Sequence, residues 1–177
     1  MSSNSSTNLE LLNSLPAPEA ERQFLKCCGC GNWATRMAEE RPFGSVQEMT
    51  ETADRIWWSL EPSDWLEAFH SHPKIGEKKA AADTSVDAQK WSEAEQAGTR
   101  DAAQQTMDDL VQLNLEYEEK FGHIFIVCAS GKTSEEMLTG LRERYNNDPS
   151  EELRIAAGEQ AKITRLRLNK LIETLNS

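Results

Sequence analysis

The segment SVQEMTETADRIWWSL, residues 45 to 60, constrains the fold more than any other stretch of the chain. Val46, Met49, Ala53, Ile56, Trp57 and Leu60 recur at steps of three and four, which lines one face of an α-helix. Ser45 and Glu48 supply a capping-box pattern for its first turn. A second helix is predicted to start after Pro62 and Ser63, with Trp65, Leu66 and Phe69 on one side. It should stop before Pro73, because the residue preceding a proline is pushed away from helical angles. Residues 91 to 121 read as one long helix or two abutting ones, with Met107, Leu110, Val111, Asn114, Tyr117 and Phe121 on a stripe. Two more starts lie at Thr133 with Glu136 and at Ser150 after Pro149, the last helix running to the C-terminus.

Only HIFIVCAS, residues 123 to 130, has the β-branched, apolar character of a strand, with Gly122 and Gly131 at its borders. One strand makes no sheet. The predicted fold is therefore all-α: a single compact helical domain over residues 9 to 177, with an extended buried crossover at about 123–130. Its backbone N–H and C=O groups have no ladder partner and are expected to be available to a ligand. Residues 1–8, rich in Ser and Asn, hold little to bury and are expected to form a disordered tail.

At 177 residues the chain suits one domain. A formal net charge of −11 argues against broad contact with nucleic acid, which needs clustered Lys and Arg. No run of about 18 apolar residues suggests a membrane span. The start lacks the features of a secretory signal and the end is not a peroxisomal tripeptide, so cytosol and peroxisome are both left open. Of four cysteines, Cys27, Cys28 and Cys30 crowd together and Cys128 is distant, a poor disulfide framework. Cys27 and Cys30 resemble half a zinc site, but no second ligand pair completes it, and reduced, partly buried thiols are expected instead. Neither a phosphate-binding glycine loop nor a dinucleotide fingerprint is present.

Three features carry potential chemistry. In FHSHPKIGEK, residues 69 to 78, His72 is held next to Pro73 and is a natural proton carrier; a second reading makes it a helix-terminal residue bonding the last carbonyls. A metal-binding pair with His70 lacks completing ligands. In Trp91 to Gly98, Ser92 and Glu95 form a capping box, which is compatible with a carboxylate held rigidly beside backbone donors. On the last helix, about 100° per residue places Arg167 within the apolar half of Ile163, Leu168, Leu171, Ile172 and Leu175, with Arg165 near its edge. An inward guanidinium requires an anion, either a buried carboxylate of the chain or a carboxylate-bearing ligand. His123 is expected to be structural.

Taken together, these segments resemble the ureidoimidazoline (OHCU) decarboxylase family in the same chain order. The carrying motifs are Asp64-Trp65-Leu66-Glu67-Ala68-Phe69 leading to Ser71-His72-Pro73-Lys74-Ile75-Gly76, then Ser92 to Gln96. Lys120-Phe121-Gly122, Phe125 to Gly131 and Ile163-Thr164-Arg165-Leu166-Arg167-Leu168 follow, and Asn13, Trp33 and Arg41-Pro42-Phe43 also fit. His123 departs from the pattern, where an aromatic or apolar residue is usual. The resemblance implies a homodimeric lyase of urate breakdown, without metal or organic cofactor, that acts on a small molecule. It further implies His72 and Glu95 as catalytic residues. Pro73, Ser92, Gln96, Arg167 and the backbone of Phe125, Ile126, Val127, Cys128 and Ala129 would bind substrate. The middle segments read like plant members, in which a hydroxyisourate hydrolase domain can be fused. Competing readings are a helical interaction module docking through Trp33, Trp57, Trp58, Trp65 and Trp91, and a Cys/His zinc protein.

Overall fold

A computed structural model of the chain describes residues 2–74 and 104–175. Among them are eight helices: α1 (Ser2–Ser14), α2 (Ala17–Cys28), α3 (Gly31–Glu39), α4 (Val46–Trp58), α5 (Pro62–His70), α6 (Gln104–Phe121), α7 (Ser134–Arg144) and α8 (Pro149–Thr174). The described residues contain no strand, and residues 124–129 are neither helix nor strand between α6 and α7, where the all-α reading places its crossover. Two compact units divide the chain: Met1–Ala68 with Ala161–Ser177, and Phe69–Gln160.

In the first unit, α4 buries Met49, Ala53, Ile56 and Trp57, the face that the periodicity predicts. Its capping box is only half formed. Ser45 Oγ accepts the Glu48 N–H at 3.0 Å, but the Glu48 carboxylate reaches one residue further back and accepts the Gly44 N–H at 2.7 Å. The expected tail is a correction: α1 begins at Ser2, and Asn8 and Leu9 are buried. The reason is a polar anchor that composition hides, since Asn8 Nδ2 donates to the Ile172 carbonyl at 2.6 Å. Asn13 clamps the chain before α4, accepting the Phe43 N–H and donating to the Phe43 carbonyl, each at 2.9 Å. Arg41 finishes this end of the unit by donating to the carbonyls of Leu12, Ala38 and Leu15 at 2.8, 3.0 and 2.8 Å. These are helix-end acceptors left over by the i→i−4 ladder.

In the second unit, α6 buries Leu110, Asn114 and Tyr117, and Leu110 and Tyr117 pack with Phe125, Met137, Leu138 and Leu141. Val111, expected on the same stripe, is 38% exposed. At about 100° per residue it lies roughly 80° from the centre of the arc spanned by its neighbours, so it falls beyond the buried edge. Helix α7 starts with a complete Thr133–Glu136 capping box. Helix α8 begins at Pro149, where the Asp148 side chain accepts the Ser150 N–H at 2.9 Å.

One buried carboxyl group organises this unit. The Glu152 carboxylate is fully buried; it pairs with Arg144 Nη2 at 2.6 Å and accepts from Arg144 Nε at 2.8 Å, from Asn147 Nδ2 at 2.9 Å and from the Tyr117 hydroxyl. Removing one partner of a buried pair strands the other charge, which costs about 3–5 kcal/mol. Glu152→Ala is therefore expected to lower the urea midpoint by an amount equivalent to that loss; an unchanged midpoint would contradict this role.

Candidate functional site

His72 sits two residues beyond the end of α5, where its N–H donates to the Phe69 carbonyl at 3.2 Å. This is the helix-terminal position that Pro73 predicts, because a proline restricts the residue before it. The His72 ring does not serve the helix end alone. Its Nε2 lies 2.6 Å from Oε1 of Gln160, a fully buried side chain on α8. Just after the His72-Pro73 step, Lys74 Nζ pairs with Glu118 on α6 at 2.7 Å.

The crossover at 123–130 is held by side chains. Asn114 Oδ1 accepts the Phe125 N–H at 3.3 Å, and Arg144 Nη1 donates to the Ile126 carbonyl at 2.8 Å while its guanidinium lies 4.4 Å from the Phe125 ring centre. Cys128 is gripped at both ends: its N–H donates to Glu159 Oε2 at 2.8 Å and its carbonyl accepts from Lys132 Nζ at 2.9 Å. The expectation that this backbone waits for a ligand is thus corrected for these four groups, because buried amides with no ladder recruit side chains instead. Glu159 and Gln160 are consecutive on α8, so one turn of helix holds both the crossover and the His72 imidazole.

His123 is buried against Phe69, Tyr117 and Phe121, with ring centres 5.2, 5.5 and 6.3 Å away. Its Nδ1 bonds the Ile124 carbonyl at 3.0 Å, which fits the structural role expected of it. Burial holds its pKa below the ordinary histidine value.

Arg167 belongs to the first unit and is 4% exposed on α8, as the helical angles predict. Burial pushes the nearby Cys28 thiol well above its usual range, opposed by a hydrogen bond with Thr164 and by the positive charge of Arg167. Arg165 turns outward and pairs with Asp54. Ser92, Glu95 and Gln96 lie outside the described residues, as does Trp91.

The rival readings lose ground. Trp33, Trp57 and Trp65 are buried, and the indole N–H groups of Trp33 and Trp65 donate to the carbonyls of Ala53 and Trp57 at 3.1 and 3.0 Å; Trp58 is 49% exposed. All four cysteines lie among the described residues, buried and outside any disulfide. Cys30, Asp64 and Glu67 converge within 4.8 Å of one another, but each has work at a helix start. Cys30 Sγ accepts the Trp33 N–H at 3.5 Å, Asp64 accepts the Glu61 N–H at 3.2 Å and Glu67 accepts the Gly31 N–H at 3.1 Å.

Gln160, Glu159, Glu152 and Arg144 were not singled out from sequence. Two of them, Glu152 and Gln160, lie on the same face of α8 as Arg167 and are legible from helical angles. At about 100° per residue, Glu152, Ala156, Gln160, Ile163, Arg167 and Leu171 share one arc of α8 about 100° wide.

Known proteins resemble this chain over most of its length. The sequence pattern of the OHCU decarboxylase family matches residues 13–169. The "Uric acid degradation bifunctional protein TTL" of Arabidopsis thaliana is 41% identical over 152 residues; the match covers 85% of this chain and 47% of that protein. The 2-oxo-4-hydroxy-4-carboxy-5-ureidoimidazoline decarboxylase of Amia calva is 30% identical, covering 75% of each chain. Among solved structures, an OHCU decarboxylase crystallised in the presence of (S)-allantoin aligns with a TM-score of 0.73 and 40% identity, over 85% of this chain and 96% of that one. The chain thus spans less than half the length of its plant bifunctional relative.

The His123 environment generates a pH test. A histidine whose folded pKa lies below its unfolded value, about 6.5, takes up a proton on unfolding. Stability contributed by keeping it neutral is present above that value and is lost as pH falls through it. The urea midpoint is expected to fall as pH drops from about 7.5 to 5.5, and His123→Phe should flatten the part due to this ring. An equal slope in both proteins would contradict the assignment.

Proposed function

Because the chain belongs to the OHCU decarboxylase family, we propose that it converts 2-oxo-4-hydroxy-4-carboxy-5-ureidoimidazoline into (S)-allantoin and carbon dioxide, with His72 as general acid/base. The likeness to a decarboxylase crystallised with (S)-allantoin, along nearly all of that protein, carries this reading. The bond between His72 and buried Gln160 supports the part given to the imidazole, since it fixes a proton-carrying ring at the end of a rigid helix.

The substrate has a carboxylate and a hydroxyl on one ring carbon, beside a C=N carbon that bears the ureido group. As the C–C bond to the carboxylate breaks, its electron pair moves between the two ring carbons, and the C=N π pair moves onto nitrogen, which takes the one net proton of the reaction from solvent. His72 takes the hydroxyl proton as carbon dioxide leaves. The imidazolium so formed then protonates the ureido-bearing carbon of the enol-like intermediate from one face, and the oxygen becomes a carbonyl. The substrate is its own electron sink; the protein supplies orientation and proton traffic.

Arg167 is assigned to the substrate carboxylate, because a buried guanidinium offers the planar donor pair that a carboxylate matches. Glu95 is assigned to poise His72, and Ser92, Gln96, Pro73 and the segment from Phe125 to Ala129 to shape and bind the ring. A homodimer is part of the same proposal. Val111 and Leu115, one turn apart on α6 and both exposed, are apolar surface of the kind that a second copy covers. Sedimentation is expected to give twice the 19.9 kDa of one chain, and a monomer at working concentration would overturn the dimer.

General acid/base catalysis contributes about 10²- to 10⁴-fold. His72→Asn is expected to lose roughly that much in kcat while keeping its helical circular dichroism. The assay follows optical activity after urate oxidation products are freshly generated. Wild-type protein should yield (S)-allantoin faster than the spontaneous racemic decay; full stereospecific turnover by the variant would remove His72 from the mechanism.

A further inference from the structure

Gln160 is the one buried polar side chain of α8 bonded to a proposed catalytic group among the contacts described above, and the resemblance assigns it no role. We propose that Gln160 is a positioning residue: its side-chain carbonyl accepts the His72 Nε2 proton and so holds the neutral ring in the tautomer whose Nδ1 is the base. This rests on the reading of His72 as the acid/base.

Three observations support it. The heavy-atom separation is 2.6 Å, with the amide oxygen rather than the amide nitrogen facing the ring. In neutral imidazole one nitrogen donates and the other accepts, so an oxygen at Nε2 selects Nε2–H and leaves the lone pair on Nδ1. The Gln160 side chain is fully buried on a helix whose preceding residue, Glu159, is tied to Cys128 at 2.8 Å, so the acceptor cannot readily swing away. Burial also strengthens the preference, because an amide oxygen removed from water loses a partner if the ring turns.

The choice of an amide matters. A carboxylate would fix the same tautomer and add a full negative charge beside the ring, which favours the imidazolium. The Gln160 amide sets direction at Nε2 without adding a second negative charge to that of Glu95, the carboxylate assigned to poise the ring.

The experiment has two arms on the full chain. In the first, ¹⁵N NMR of the imidazole nitrogens at about pH 8, above the usual histidine range, reports the tautomer without any turnover. Wild-type His72 should show a protonated Nε2 and an unprotonated Nδ1. Gln160→Glu, which keeps an acceptor in place, should retain this pattern, and Gln160→Leu should lose the bias. A wild-type ring protonated at Nδ1 would overturn the proposal, because it would mean that the amide nitrogen faces the imidazole.

In the second arm, Gln160→Leu is expected to lose roughly 10-fold in kcat, part of the 10²- to 10⁴-fold that acid/base catalysis supplies, with KM little changed. Gln160→Glu should recover some of that loss. Wild-type kcat in Gln160→Leu would overturn the proposal, and if that variant does not fold, the wild-type spectrum alone still decides the tautomer. A failure of the underlying reading looks different: His72→Asn would keep its turnover, whatever the tautomer spectrum showed.

Discussion

A carboxylate taken out of water must be met on every side, and in the unit spanning Phe69–Gln160 that requirement fixes the backbone. Glu152 on α8 draws in the Tyr117 hydroxyl from α6, the Arg144 guanidinium from α7 and the Asn147 amide from the turn between α7 and α8. Arg144 then donates to Ile126 and covers the Phe125 ring, so the crossover is fastened to the same point. A non-helical segment with no neighbouring strand would otherwise bury unpaired amides at a cost of about 1–3 kcal/mol each. Side chains from three helices take the place of the missing sheet.

That substitution explains what was legible in the sequence. The amphipathic face of α4, the helix end before Pro73, the capping box at Thr133 and the inward Arg167 each follow from local periodicity or local capping chemistry, and the structure carries them. The break in helix at residues 124–129 was readable for the same reason, since β-branched and apolar residues between two glycines disfavour helix. Its hydrogen-bond partners were not. Glu159, Arg144 and Asn114 are distant in sequence and ordinary in type, and nothing nearby marks them as crossover anchors. The N-terminal segment failed in the same way: its Ser- and Asn-rich composition speaks for disorder, and only the Asn8 contact to Ile172 shows what it can hold on to.

The proposed chemistry depends on the same helix. Within one turn of α8, Glu159 restrains Cys128 and Gln160 meets His72, so a crossover assigned to substrate binding and an imidazole assigned to proton transfer share one rigid support. Positioning of this kind is what a decarboxylation without a borrowed electron sink demands, because the ring already holds the electrons' destination and the protein decides the path and face of the proton. Family membership motivates the proposed reaction, and the contact of His72 with Gln160 supports the part proposed for its ring.

The central claim is that the His72 proton carries the reaction, and the most direct measurement compares two titrations of the same protein. One follows the His72 ring by NMR, and the other follows kcat/KM against pH, which reports the ionisations of the free enzyme. The account predicts that the His72 midpoint coincides with the lower kinetic midpoint, and that this limb vanishes in His72→Asn. A kinetic limb that survives the substitution, or that lies far from the His72 titration, would contradict it.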